Sequence, residues 1–125
     1  MTRYPSLDDV LAAHARLIAL FGGAQGIRDR GALEAAVARP QSAYYKDIVE
    51  RAAALLESLS QNHPFIDGNK RTAIAVTAAF LRVNGLRLEF DDLEAFQFLI
   101  HLYETNQFHF ARLEPWLRQH SQPVR

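Results

Sequence analysis

The sequence predicts a single all-α domain of about six helices, spanning residues 1–125, with at most minor β-structure. Apolar residues recur three and four positions apart through most of the chain, which is the spacing of one helix face. Capping residues, glycines and prolines interrupt this pattern, so the periodic segments are separate helices. A chain of 125 residues is long enough to bury its own hydrophobic core.

The first helix begins after Ser6, which is placed to cap it, with Asp9 in the position of the usual glutamate of a capping box. Gly22-Gly23 ends this helix, and the glycine-rich segment "GGAQGIRDRG" follows as a loop. A second, short helix, "ALEAAVAR", stops before Pro40 because proline disfavours the helical conformation in the preceding residue. The next segment, "PQSAYYK", has no clear period, and its tyrosines favour an extended or hairpin conformation.

Two strong helices occupy the middle of the chain. The segment "DIVERAAALLESLSQN" predicts a helix from Asp47 to about Asn62, because Pro64 moves His63 out of the helical region. The segment "NKRTAIAVTAAFLRVNG" is the most apolar helix, so we expect it to be central, and Asn84-Gly85 is its stop signal.

The last third of the chain predicts one short strand and two helices. The segment "LRLEF" alternates briefly, as a strand does. Asp91 or Asp92 then caps the helix "LEAFQFLIHLYETN". A final helix lies near "FARLEPWLRQH", where Pro115 marks a kink or a late start.

Composition excludes several classes of function. Lys plus Arg and Asp plus Glu each number 14, so the formal net charge is zero, and direct nucleic-acid binding is not expected. The absence of cysteine excludes a disulfide framework, a thiol nucleophile and a thiolate metal site. The segment "MTRYPSLDDV" has no apolar signal core, and no run approaches the length of a membrane span. We therefore expect a cytoplasmic protein without a membrane partner.

The segment "NHPFIDGNKRTA", residues 62–73, contains cations at an unexpected place. Lys70 and Arg71 open the central helix at the end where the macrodipole favours negative charge. The unpaired N–H groups of a first helical turn bind anions well, and Gly68 would let an anion approach the backbone closely. Asn69 can cap the helix or donate its amide to a phosphate oxygen. The pattern therefore predicts a site for a strongly charged anion such as a polyphosphate.

The same segment holds two residues suited to phosphoryl or nucleotidyl transfer. Asp67 can bind a magnesium ion that bridges phosphate oxygens, and His63 can take a proton from an attacking hydroxyl. Phe65 would anchor the loop by burying its ring. The alternative is that turn-forming residues merely join two helices and that the cations are solvated. The apolar character of the helix that these cations open favours the catalytic interpretation.

The residues "HPFIDGN" followed by "KR" resemble the signature of the Fic/Doc family, His-Pro-Phe-x-Asp/Glu-Gly-Asn-Gly/Lys. The resemblance extends to "GGAQGIRDRGALEAAVARPQ" and "RTAIAVTAAFLRVNG", so it covers most of the chain. It implies a compact Fic/Doc fold, with ATP as co-substrate and Mg²⁺ as cofactor. The implied roles are general base for His63, magnesium ligand for Asp67, and phosphate or nucleotide binding for Gly68, Asn69, Lys70 and Arg71.

Departures from the signature bear on the group that is transferred. Lys70 replaces a second glycine of the nucleotidyl-transferring members, and Ile74 replaces their second arginine. The Doc-like, death-on-curing branch shares both changes, and there the terminal phosphate is thought to pass to a translation elongation factor. Gly68 is instead typical of the nucleotidyl-transferring branch, and Ala75 stands where Doc places a polar residue. The alternatives are therefore AMP transfer to a protein hydroxyl and a non-catalytic module that binds phosphate or an antitoxin.

The resemblance also implies partners. The Ser/Thr-x-x-x-Glu-Gly/Asn helix of self-inhibited members is absent from the sequence, which implies inhibition by a separate small antitoxin protein. Tyr44 and Tyr45 lie in the presumed flap, where they either dock a target segment or simply pack. His14 lies on the apolar stripe with Leu11 and Ile18, which predicts a packing histidine rather than a ligand.

Overall fold

The computed structural model describes residues 1–124 as a bundle of six helices with one small antiparallel sheet. The elements in chain order are α1 (Leu7–Phe21), α2 (Arg30–Ala38), a 3-10 helix (Arg39–Gln41), α3 (Ile48–Gln61), α4 (Asn69–Val83), β1 (Leu86–Leu88), α5 (Asp92–Glu104), α6 (Phe110–His120) and β2 (Ser121–Pro123). The predicted all-α architecture is confirmed. Within the described part of the chain, no helix has both the length and the apolar character needed to cross a membrane.

Side-chain caps fix where most helices begin. The predicted capping box of Ser6 and Asp9 starts α1, with both of its hydrogen bonds formed. Asp47 caps α3 and Asp91 caps α5, each by accepting a hydrogen bond from the amide three residues later. Asp29 caps α2 in the same way, although the sequence had not singled it out. These starts follow from local chemistry, because a cap satisfies amides that have no partner in the helix.

The hydrophobic core surrounds α3 and α4. Helix α4 packs against α1 and α3, and α3 also packs against α6. The largest side chains that are almost fully buried include Leu33, Leu55, Leu59, Phe65, Phe80, Leu81, Phe108, Leu113 and Leu117. Because α4 is held from several sides, the position of its first turn is set by the core of the protein.

The segment between α2 and α3 forms the 3-10 helix and turns, rather than the extended or hairpin flap considered from the sequence. The Arg51 side chain explains the difference. It donates to the carbonyl oxygens of Pro40 at 2.6 Å, Ser42 at 2.9 Å and Tyr45 at 2.9 Å. A guanidinium on α3 therefore satisfies backbone groups that a partner strand would otherwise pair.

The C-terminal part contains one element that the sequence did not predict. The expected strand β1 forms, and it pairs with β2, with Leu86 opposite Pro123. A three-residue strand is too short to show a period, so β2 has no local signal. Helix α6 begins at Phe110 and contains Pro115 in its interior, so a late start at Pro115 is wrong.

Candidate active site

The motif loop, residues 62–68, connects α3 to α4 and has an uncommon backbone conformation at His63. His63 has φ of +46°, in the left-handed region that residues other than glycine seldom adopt. The prediction that Pro64 removes His63 from the helix is confirmed. Phe65 is 1% exposed and anchors the loop in the core, as predicted, whereas His63 is exposed.

The loop between α1 and α2 holds the motif loop through backbone hydrogen bonds. Ile27 and Phe65 form an antiparallel bridge. The Pro64 carbonyl accepts hydrogen bonds from the amide of Arg28 at 2.8 Å and from the next amide at 3.0 Å. The motif loop is therefore held in place by the loop between α1 and α2.

Arg28 also holds the motif loop through its side chain. Its Nε donates to the His63 carbonyl at 2.6 Å, and a terminal nitrogen donates to the Asn62 carbonyl at 2.9 Å. These carbonyls lie at the C-terminal end of α3, where C=O groups lack a helical partner. Sequence reasoning missed Arg28, because nothing periodic distinguishes one arginine in a glycine-rich loop.

Asn69 closes the motif loop from its other end. Its side-chain oxygen accepts a hydrogen bond from the Phe65 amide at 2.9 Å, and its side-chain nitrogen donates to the Phe65 carbonyl at 3.0 Å. Asn69 is therefore not the cap of α4, and the N-cap is Gly68, with φ of +75°. The side-chain amide of Asn69 has a second hydrogen that this arrangement leaves for a ligand.

The start of α4 has no side-chain cap. The amides of Asn69, Lys70 and Arg71 precede the first intrahelical hydrogen bond, which the Thr72 amide makes to the Gly68 carbonyl at 3.0 Å. At the starts of α1, α2, α3 and α5, a serine or aspartate side chain occupies the corresponding position. The first turn of α4 therefore suits an external anion as the acceptor of its amides.

Lys70 and Arg71 are exposed, and each lies over an aromatic ring. The Lys70 Nζ is 3.6 Å from the ring centroid of Tyr103, and the guanidinium carbon of Arg71 is 4.6 Å from that of Phe21. Both residues line a cavity of about 400 Å³ between α4, α5, α6 and β1, whose other walls are mostly apolar. Within residues 1–124, neither cation forms an ion pair. Two cations that no carboxylate of the described residues neutralises thus lie beside an apolar cavity.

The Asp67 carboxylate is positioned by two backbone amides. Its Oδ1 accepts from Gly68 at 2.8 Å, and its Oδ2 accepts from Ala24 at 3.2 Å. Gly23 makes room for it, because a Cβ at that position would lie 2.8 Å from Asp67 Oδ2. Asp67 is nevertheless exposed, and each carboxylate oxygen keeps a lone pair for a further partner.

This environment fits one mode of magnesium binding. Mg²⁺ usually keeps several waters and is bound by one or two carboxylates together with substrate phosphates. Asp67 lies directly before the uncapped start of α4, so it fits that mode. No group of three or more potential metal ligands occurs among the described residues. The residues therefore fit a metal that arrives with a phosphate ligand, not one held by a protein cage.

The two tyrosines of the α2–α3 segment differ in their exposure to solvent. Tyr44 is 80% exposed, whereas Tyr45 is 7% exposed and its hydroxyl accepts a hydrogen bond from Arg39 Nε at 2.8 Å. The two rings meet edge to face, with centroids 5.2 Å apart. Tyr45 therefore packs into the core, and Tyr44 is the tyrosine available to a partner.

His14 is buried, as predicted for a packing histidine, but it also contacts the motif loop. Its ring stacks on Phe65 with centroids 3.7 Å apart and planes 4° from parallel. Its Nε2 lies 2.8 Å from the backbone oxygen of Asp67. The helical stripe on α1 correctly indicated burial, but it gave no information about this hydrogen bond.

Comparison with known proteins agrees with the motif. A profile of the Fic/DOC family matches residues 4–81. The chain is 47% identical over 96 residues to Toxin Doc of Mycolicibacterium smegmatis, and the match covers 73% of this chain and 72% of that protein. It is 38% identical over 96 residues to Protein kinase doc of Escherichia phage P1, covering 74% of this chain and 75% of that protein. The resemblance found in the motif is confirmed, and the chain belongs to the Fic/Doc family.

Proposed function

We propose that the chain is a Doc-like toxin of a toxin–antitoxin system, which transfers the terminal phosphoryl group of ATP to a Ser or Thr hydroxyl of a protein of the translation-factor class. Similarity to proteins named as a Doc toxin and as a protein kinase supports this proposal. The observation that carries it is the uncapped start of α4, where Lys70 and Arg71 lie beside a cavity and directly follow the loop that contains His63 and Asp67.

In this reaction His63 is the general base. It takes the proton of the target hydroxyl as the hydroxyl oxygen forms a bond to the γ-phosphorus of ATP. The bond between the γ-phosphorus and the oxygen that bridges it to the β-phosphate breaks, and ADP leaves with that electron pair. A base in this role contributes a factor of about 10²–10⁴ to the rate.

Positive charge and amides at the start of α4 stabilise the transferred group. The amides of Asn69, Lys70 and Arg71, with the two cationic side chains, are suited to the negative charge on its oxygens. Mg²⁺ bound at Asp67 would neutralise further charge on the phosphates. Glycine fits the turn at position 68 because φ is +75° and a Cβ there would lie 2.9 Å from Ile18 Cδ1.

The wall of the cavity favours transfer of the terminal phosphate. Ile74 lines the same cavity as Lys70 and Arg71, at the position where nucleotidyl-transferring members have an arginine. A nucleotide with its α-phosphate at the start of α4 would lack that clamp on its outer phosphates. With the terminal phosphate there instead, the nucleoside can lie toward the apolar cavity. Gly68 is typical of the other branch, so AMP transfer to the same hydroxyl is the second candidate.

The proposal includes two protein partners in the cytoplasm. Tyr44 is the candidate contact for the target, because it is exposed on a turn whose backbone the Arg51 side chain holds. A small antitoxin is the second partner, which the similarity to Doc toxins supports. Direct binding of nucleic acid is not part of the proposal, since the net charge is zero.

Labelled ATP distinguishes the candidates. The protein is incubated with Mg²⁺, a bacterial extract and ATP labelled at either the α or the γ phosphorus. The mass of the labelled target is then measured by intact mass spectrometry. We expect label from γ-labelled ATP and a mass increase of one phosphoryl group. His63→Ala should abolish the labelling, and the matched control His101→Ala, at an exposed histidine on α5, should retain it.

The other outcomes identify what replaces the proposal. Label from α-labelled ATP with an adduct the size of AMP would reject phosphoryl transfer in favour of nucleotidyl transfer. ATP binding without labelling of any protein, in an extract from a susceptible bacterium, would favour a non-catalytic module.

A further inference from the structure

We infer that His14, outside the motif, is a positioning residue that sets the orientation of the Asp67–Gly68 peptide and so prepares the start of α4 for an anion. The inference rests on the proposed function for its consequence, but its structural part can be tested separately. His14 is on α1, and its contact with Asp67 spans 53 positions of sequence.

The direction of the hydrogen bond follows from the chemistry of its two atoms. A backbone carbonyl oxygen can only accept, so the His14 Nε2, 2.8 Å away, carries a hydrogen and donates it to Asp67. His14 is 3% exposed, which shields the bond from competing water. The close parallel stack on Phe65, at 3.7 Å, fixes the plane of the ring. The donor therefore has one position, and it points at one carbonyl.

This bond determines where the neighbouring amide points. In a trans peptide the C=O and the following N–H point in opposite directions. Because the Asp67 carbonyl is directed to His14, the Gly68 N–H is directed away from it, where Asp67 Oδ1 accepts it at 2.8 Å. Gly68 has φ of +75° and no side chain, so its own conformational preference would not prevent this peptide from rotating.

His14 also packs directly beneath the start of α4. A Cβ built on Gly68 would lie 3.8 Å from two ring atoms of His14. The imidazole therefore contacts the Asp67 carbonyl and also limits the space beside Gly68. Loss of the donor would leave the Asp67 carbonyl oxygen without its partner in a partly buried place, and rotation of the peptide would relieve this.

Three variants separate the hydrogen bond from simple packing. His14→Phe keeps an aromatic ring against Phe65 but removes the donor. His14→Gln keeps an N–H donor near the position of Nε2 but loses the stack. His120→Phe is the matched control, because His120 Nδ1 makes an equivalent contact of 2.8 Å to the Trp116 carbonyl and its ring lies 4.6 Å from the Trp116 ring.

The experiment combines an NMR signature with a binding constant. The ¹⁵N-labelled full chain is used to follow the Gly68 amide resonance, and calorimetry gives the dissociation constant of ATP with Mg²⁺. We expect His14→Phe to move the Gly68 resonance and to weaken ATP binding about tenfold. His14→Gln should recover most of the affinity, and His120→Phe should change neither quantity. Thermal unfolding verifies that each variant is folded.

Each alternative result has a distinct meaning. An unchanged Gly68 resonance in folded His14→Phe overturns the inference, whatever the affinity. A shifted resonance with wild-type affinity overturns the link between this peptide and the anion. If the wild-type protein labels no target, the proposed function fails, while the Gly68 resonance still decides the role of His14.

Discussion

Arg28 Nε lies 2.6 Å from the backbone oxygen of His63, so a residue of the α1–α2 loop holds the backbone of the proposed base. The same guanidinium reaches the Asn62 carbonyl at 2.9 Å. His63 has φ of +46°, and a conformation of this kind costs about 1–3 kcal/mol and persists only where its surroundings hold it. The two hydrogen bonds from Arg28 are part of those surroundings.

Replacement of Arg28 should therefore affect catalysis although Arg28 is not in the motif. We expect Arg28→Gln to lower the transfer rate at saturating ATP by up to about 100-fold, because a small displacement of a base has effects of this size. Arg28→Lys should recover little, since an ammonium group lacks the planar fork that serves two carbonyls. Arg16→Gln, at an exposed arginine on α1, is the control. A full rate in folded Arg28→Gln would show that other contacts suffice to hold His63.

A pair of neighbouring glycines tests the position of Asp67. Alanine at Gly23 would place a Cβ 2.8 Å from Asp67 Oδ2, whereas alanine at Gly22 would meet nothing within 4 Å. Both positions have positive φ, +116° and +90°, so both variants carry backbone strain. We expect Gly23→Ala to raise the Mg²⁺ concentration needed for half-maximal transfer, and Gly22→Ala to leave it near the wild-type value. Equal effects of the two substitutions would assign the loss to strain alone.

Ile74 tests which phosphate is transferred. It is 36% exposed and lines the cavity, so a longer charged side chain can be accommodated there. We expect Ile74→Arg to increase labelling from α-labelled ATP relative to γ-labelled ATP, because the new guanidinium would bind the outer phosphates of a nucleotide in the opposite orientation. Ile74→Met, which changes shape without adding charge, should keep the wild-type ratio. An unaltered ratio in Ile74→Arg would contradict the role given to this position.

Growth of a bacterial host tests the toxin part of the proposal. Expression of the chain without an antitoxin should arrest growth, and His63→Ala should relieve the arrest, because loss of a general base lowers the rate about 10²–10⁴-fold. His101→Ala should remain toxic. Arrest that persists in a folded His63→Ala protein would mean that toxicity does not depend on this base.

Asp47, the cap of α3, should make the free energy of unfolding dependent on pH. Partial burial acts to raise the pKa of the Asp47 carboxyl, but hydrogen bonds from the Glu50 amide and the Arg118 guanidinium outweigh it and lower the pKa below its usual value. A lowered pKa in the folded state stabilises the protein above the usual carboxyl pKa of about 4, and this contribution disappears as the pH falls through the lowered pKa. Asp47→Asn should therefore lower the unfolding midpoint at pH 7 and make little difference at strongly acidic pH. A constant difference between the two proteins at all pH values would exclude this linkage.

Local chemistry accounts for what could be predicted from the sequence. The predicted caps Ser6 and Asp91 each act on an amide three positions away, and helical periodicity indicated the burial of His14. Pro64 displaces only the residue before it, which is why the end of α3 was also predictable. The motif places the residues proposed for catalysis within one short segment, so their types and spacing are visible without a structure.

Tertiary packing decided which distant groups meet at that segment. Arg28 bonds to a carbonyl 35 positions away, and His14 bonds to one 53 positions away. These partners are backbone oxygens, which are the same at every position, so side-chain identity cannot reveal them. The sequence by itself determined the helices, the caps Ser6 and Asp91, and the residues of the motif. Only the packing of α1 and its following loop against α4 decided how that motif is held, because such contacts depend on how distant segments come together.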